Sequence, residues 1–258
     1  MIPVIKKYEQ YGFSLVELAI VMLIVTLLLG GLLVPLNAQI DQQRTKETIK
    51  TLAELKETLI GFAIVNGRLP CPATPNSLTG LESYTGGVAG VGPCSNPFDG
   101  LLPAATLGIT PINNNGLLLD GWNNPIRYAV SSKTIGGQTD ALTTTNGIKI
   151  ATISGLSNPG LTLLYVCASS PAPVIINCGA STTLTDKAPA LVFSLGKNGN
   201  RGSLGPDQTA NVNMPADPVF VSHIQSSDGA GNDEFDDIVE WLSTGILINR
   251  LVSAGQLP

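Results

Sequence analysis

Three groups of residues in this chain have types and spacings that could do chemistry. The first is Gly12-Phe13-Ser14-Leu15-Val16-Glu17, a glycine and a carboxylate at the mouth of an apolar run. Between Leu18 and Ile40 no residue is charged. An acidic side chain inside a spanning helix costs roughly 2.5–3.5 kcal/mol at mid-membrane, less near the interface, so Glu17 marks function and a partner. The second group is Cys71, Cys94, Cys167 and Cys178, an even set with no C-x-x-C spacing. That pattern argues against zinc and, outside the cytoplasm, for disulfides. Among the possible connectivities we favour Cys71–Cys94 and Cys167–Cys178, because sequence-local pairs close separate loops. The third is the acidic segment Asp233-Glu234-Phe235-Asp236-Asp237. Its carboxylates can favour the first turn of a helix or, with backbone carbonyls, ligate a hard cation.

Enzyme chemistry finds little support. His223 is the single histidine, and no G-x-S-x-G elbow accompanies it. A lone histidine in a strand-like setting is structural or at the surface, so the chain reads as a non-enzyme.

These groups need elements to position them. From Leu18 to Ile40, at ~1.5 Å per residue, a helix spans roughly 35 Å, about the thickness of a bilayer's hydrocarbon core. A secretory signal has an apolar region of only ~7–15 residues before its cleavage site, and Pro35-Leu36-Asn37-Ala38 fits such a site poorly. Lys6 and Lys7 precede the run and hold its start on the cytoplasmic side. Gly30-Gly31 and Pro35 are expected to interrupt the helix. From Asp41 to Val65 the pattern turns amphipathic, with Ile49, Leu52, Leu59, Phe62 and Ala63 on one face. Asn66-Gly67 ends it.

Cys71 to Gly116 reads as a disulfide-tied connecting loop. Strands are expected at Ile126 to Val130, Ile148 to Ile153, Leu161 to Val166 and Ala190 to Leu195, with Val174 to Ile176 weaker. Antiparallel pairing is expected, because connections without helices do not make parallel crossovers. Ile238 to Leu242 reads as helix-like, and Thr244 to Pro258 as a short apolar helical tail.

Gly12 to Glu17 with the apolar helix resembles the processing site of type IV prepilins and type II secretion pseudopilins. The resemblance implies that a prepilin peptidase cuts after Gly12 and methylates Phe13. It also implies that Glu17 pairs with the terminal amine of a neighbouring subunit. Two further stretches resemble pseudopilins more loosely. Asp120-Gly121-Trp122-Asn123-Asn124-Pro125 with Tyr128 is similar to the segment opening their sheet, although Asn123 stands where glycine is usual. Phe193 to Gly196 and Asp237-Ile238 with Trp241 are similar to the end of the major pseudopilin, a family known for a calcium ion in this loop. That resemblance implies calcium, with Asp233, Asp236 and Asp237 as ligands.

The fold implied is α+β and pilin-like. A long N-terminal helix, transmembrane in its first half, packs on a small antiparallel sheet. Residues 1–12 are a leader, 13–40 a transmembrane and assembly helix, 41–66 its amphipathic half, and 67–258 an extracytoplasmic β-rich domain. Of 14 basic and 19 acidic residues, Lys6, Lys7 and Glu9 lie in the leader, leaving 12 and 18. That acidic balance argues against nucleic acid as a partner. The expected partners are other pilin or pseudopilin subunits, the prepilin peptidase, an inner-membrane assembly platform and membrane lipid. The expected location is the inner membrane, single-pass, with the C-terminal domain in the periplasm or an extracellular filament. Two other readings share this anatomy: a membrane-tethered binding domain that never polymerises, and an adhesive or DNA-uptake pilin.

Overall fold

In the computed structural model, residues 12, 14–171, 176–199, 205–212, 217–226 and 234–257 are described, without the side chains of 29–37. The chain divides into two compact units, Met1–Gln43 and Arg44–Pro258. One helix, α1 (Leu15–Asn66), contributes to both. It starts on a reciprocal cap. The Ser14 N–H donates to Glu17 Oε2 at 2.9 Å, and the Glu17 N–H donates to Ser14 Oγ at 3.2 Å. This is the S-x-x-E capping box, which satisfies two otherwise orphaned donors. The helix runs on through Gly30-Gly31 and Pro35, where the sequence predicts an interruption. It ends at Gly67, whose φ of 64° lets its N–H reach the Ala63 carbonyl at 2.9 Å. Among the described residues no helix is long and apolar enough to cross a membrane.

The second half of α1 buries Thr48, Leu52, Leu55, Leu59, Ile60 and Ala63. The buried stripe is turned from the expected one. Ile49 is exposed and Phe62 only half-buried, whereas Leu55 and Ile60 are inside. The stripe faces a four-stranded antiparallel sheet in the order β1-β2-β5-β7, formed by β1 (Gly100–Leu101), β2 (Arg127–Val130), β5 (Ala190–Ser194) and β7 (Ile238–Trp241). Alternation along these strands sorts their side chains. Tyr128, Val130, Ala190, Val192 and Ile238 join the core with α1. Ala129, Leu191, Phe193 and Val239 face the other way, onto a second sheet.

That second sheet runs β4-β3-β6, from β3 (Leu164–Cys167), β4 (Thr183–Ala188) and β6 (Val219–Val221). Phe193 and Phe220 meet edge to face across the layers, centroids 5.5 Å apart. β3 pairs antiparallel with β4 but parallel with β6, against the all-antiparallel expectation. The connection from β3 to β6 passes through β4, β5 and the helix α4 (Pro206–Val212), long enough for a parallel return.

Other expectations need correction. Residues 148–153 are not a strand but part of α3 (Gly147–Leu156), which buries Gly147, Ile148, Ala151 and Leu156. The chain from Ile238 is strand β7, because it pairs with β5 from Leu191↔Trp241 to Ser194↔Ile238. Val174 and Ile175 lie outside the described residues, and Ile176 is in no strand. The Cys71–Gly116 stretch holds β1 and a short helix, α2 (Ala104–Leu107). The tail forms α5 (Thr244–Ser253), which buries Leu247 and Leu251 in the core shared with α1.

Two disulfides, Cys71–Cys94 and Cys167–Cys178, close loops with sequence separations of 23 and 11. Such closures contribute about 3 kcal/mol each in the chain-entropy picture. The first loop is also gripped from inside. The buried Arg68 guanidinium donates to both Glu82 oxygens at 2.8 Å and to the Tyr84 hydroxyl at 2.8 Å. Burial, with the nearby Glu82 charge, pushes Tyr84 up to about 12.

Candidate functional site

At the N-terminal site the first fact concerns Gly12. A Cβ built there meets nothing within 4 Å. Its backbone is not in the left-handed region either, so among the described residues nothing calls for glycine at that position. Phe13 lies outside the described residues. Glu17 is exposed, and its carboxylate bonds only locally, in the cap with Ser14. Around it Leu15, Val16, Leu18, Ile20, Val21, Met22, Leu23 and Ile24 are all exposed. An apolar surface this continuous, on every side of one helix, marks an interaction with lipid or protein. A single carboxylate within it is the only charged group such a contact would have to neutralise.

The comparisons bear on this segment. Residues 8–33 match the family described as "Prokaryotic N-terminal methylation motif". The N-terminus is type IV pilin-like. The match supports a pilin or pseudopilin precursor processed by a prepilin peptidase, and points to a structural rather than catalytic subunit. A pilin-type motif also implies a membrane-anchored or filament location and assembly with other pilin subunits. No curated protein and no solved structure matches the chain.

The second site lies in the larger unit, where β5 ends and β7 begins. Asp120 organises one side. Its Oδ1 accepts the N–H groups of Trp122 and Asn124 at 2.9 and 2.8 Å, and its Oδ2 accepts the Ser194 hydroxyl at 2.5 Å. The turn is thereby pinned to β5, and the Asn124 amide donates onward to the Gly196 carbonyl at 2.6 Å. Gly196, with φ of 63°, is pressed against Asp236, so that a Cβ there would lie 2.5 Å from Asp236 Cγ. Glycine is required at this close approach.

Asp236 and Asp237 are both buried. Asp236 Oδ2 accepts the Asn198 N–H at 3.1 Å, and its Oδ1 accepts the Gln208 amide at 2.5 Å. Asp237 Oδ2 accepts the Asn211 amide at 2.8 Å, while its Oδ1 is buried without a partner among the described residues. Burial pushes Asp237 up to about 8, with Asp236 adding to the rise and Asn211 and Arg127 opposing it. Burial raises Asp236 as well. Asp233, the third expected ligand, lies outside the described residues. Among the described residues no three His, Cys, Asp or Glu side chains gather as a metal would need. The groups that meet Asp236 and Asp237 among the described residues are N–H donors from Asn198, Gln208 and Asn211, not the further oxygens that calcium takes.

Sequence reasoning missed Gln208 and Asn211, which are buried amides on α4. They follow no apolar period, so pattern alone offers no signal for them. His223 lies just beyond β6. Its Nδ1 is 2.8 Å from the Ile224 carbonyl and its Nε2 3.1 Å from Asp207 Oδ2, and its ring stacks on Phe235. With both nitrogens occupied it is not placed to act as a base toward a nucleophile.

Proposed function

We propose that this chain is a pseudopilin or minor pilin, a structural subunit of a type IV pilus-like or type II secretion filament. A prepilin peptidase cuts it after Gly12 and methylates Phe13. Residues 13–40 then lie in the inner membrane, and the head, 67–258, stands on the periplasmic side or in the filament. The uncharged run from Leu18 to Ile40 supports the span, and Lys6 and Lys7 support the orientation. During assembly Glu17 pairs with the new α-amino cation of Phe13 on the adjoining subunit. In a water-poor helix bundle each of those charges needs the other.

The observation that carries this reading is the methylation motif at 8–33, together with a glycine that nothing among the described residues calls for. A Gly12→Ala variant tests it, with precursor and product separated by size on expression with a prepilin peptidase. The variant should stay at precursor length with its fold unchanged, since a Cβ there meets no neighbour. Normal shortening of that variant would refute the assigned cut.

A further inference from the structure

The end of the β5–β7 pair is where the family resemblance puts calcium, and in this chain amides stand there instead. We infer that α4 is a polar clasp, with Gln208 and Asn211 closing the acidic loop in place of a metal ion and freeing the fold from any need for calcium.

The geometry of each amide carries the inference. Asn211 is fully buried, and its orientation is determined by β6. Its Oδ1 accepts the Val221 N–H at 2.8 Å, so its Nδ2 must be the end that faces Asp237 Oδ2 and the Val221 carbonyl, at 2.8 and 2.9 Å. Gln208 forms a reciprocal amide pair with Asn198, at 3.1 and 3.3 Å, which turns its remaining N–H onto Asp236 Oδ1. The backbone oxygen of Asp236 is occupied too, by the Gln225 amide at 3.2 Å. Amide nitrogens are donors and cannot ligate a cation. Calcium needs about 6–8 oxygens at roughly 2.3–2.6 Å, whereas among the described residues the groups that meet Asp236 and Asp237 are N–H donors, and the Asp236 carboxylate lies against the Gly196 backbone.

The two fully buried positions of α4, Gln208 and Asn211, are both polar, so its inner face contributes mainly hydrogen bonds, with Val212 alone packed on the inter-sheet core. A third residue extends the grip. Asp207 accepts the Ser170 N–H at 2.5 Å and faces His223, tying the helix to the loop after β3 and to the end of β6. About two turns of helix thus link both sheets through side-chain hydrogen bonds.

The test uses the purified full chain in detergent. Thermal unfolding is followed with about 2 mM calcium, a level that fills extracellular calcium modules, and with chelator instead. The same melts are run on Asn211→Ala, with hydrogen exchange read at the Val221 amide. Wild type should melt at one temperature in both buffers. Asn211→Ala should melt roughly 5 °C or more lower in both, because it leaves the buried Asp237 carboxyl group and two backbone groups of Val221 without their partner. Exchange at Val221 should rise at least about tenfold. If Asn211→Ala does not fold, Gln208→Ala gives the same readings, with exchange read at Asn198. A higher wild-type melting temperature in calcium than in chelator would overturn the proposal, as would amide variants indistinguishable from wild type.

Discussion

Asp237 is buried in the head, one of its oxygens has no partner among the described residues, and the Asp236 carboxylate adds to the rise that burial causes, against Asn211 and Arg127. Its ordinary value of 3.8 applies to the unfolded chain, and in the folded chain it stands at about 8. Between those limits the folded state holds a proton that the unfolded state has lost. Stability should therefore fall as pH rises from about 4 to about 8, and this contribution should level off above that. The raised Asp236 acts with the same sign. Asp237→Asn removes the titration while keeping an oxygen for the Asn211 amide. In urea unfolding at both ends of the range, the variant should show a shallower loss of midpoint than wild type and should be the more stable protein above pH 8. Equal pH slopes in the two proteins would place the buried charge elsewhere.

At the scale of elements, α1 gives Glu17 two jobs. Within one chain it caps the helix with Ser14. Between chains, in the proposed filament, it meets an amine. Glutamine separates the two, since it can accept the Ser14 N–H but carries no charge. Glu17→Gln should leave helix content and head stability unchanged and reduce incorporation into filaments at least about tenfold, as expected for loss of a desolvated ion pair. Incorporation at the wild-type level, scored by shearing and immunoblot, would leave Glu17 with the cap alone.

The other elements differ in how openly the sequence declares them. α1 announces itself through its apolar run and Gly67. β2 does so through alternation after turn residues, and β5 through a short apolar run after Pro189. α3 hides behind Ile148-Lys149-Ile150, which alternates like a strand. What is buried there is Ile148 with Ala151, a helical spacing, and Thr152 leaves helical geometry at φ 60°. β7 is apolar on both sides because both faces of its sheet are covered, and a short run of that kind reads equally well as helix. α4 shows no apolar period at all. The capping box was readable at Ser14 and Glu17, but the same two residues also satisfy the processing motif.

For the molecule as a whole, two disulfides, a buried Arg68–Glu82 pair and the proposed amide clasp hold the head together. The head's core unites α1 from Leu52 onward with the first sheet and α5, and a second core joins the two sheets. The exposed apolar start of α1 is left for lipid or for sister subunits. That division of labour depends on removal of the leader, since only cleavage creates the amine that Glu17 is proposed to meet. Intact-mass and N-terminal fragment spectrometry of the protein purified from membranes tests this most directly. The account predicts a chain that begins at Phe13 and carries one added methyl group on its α-amine. A chain that begins at Met1, with Phe13 internal and unmodified, would contradict it.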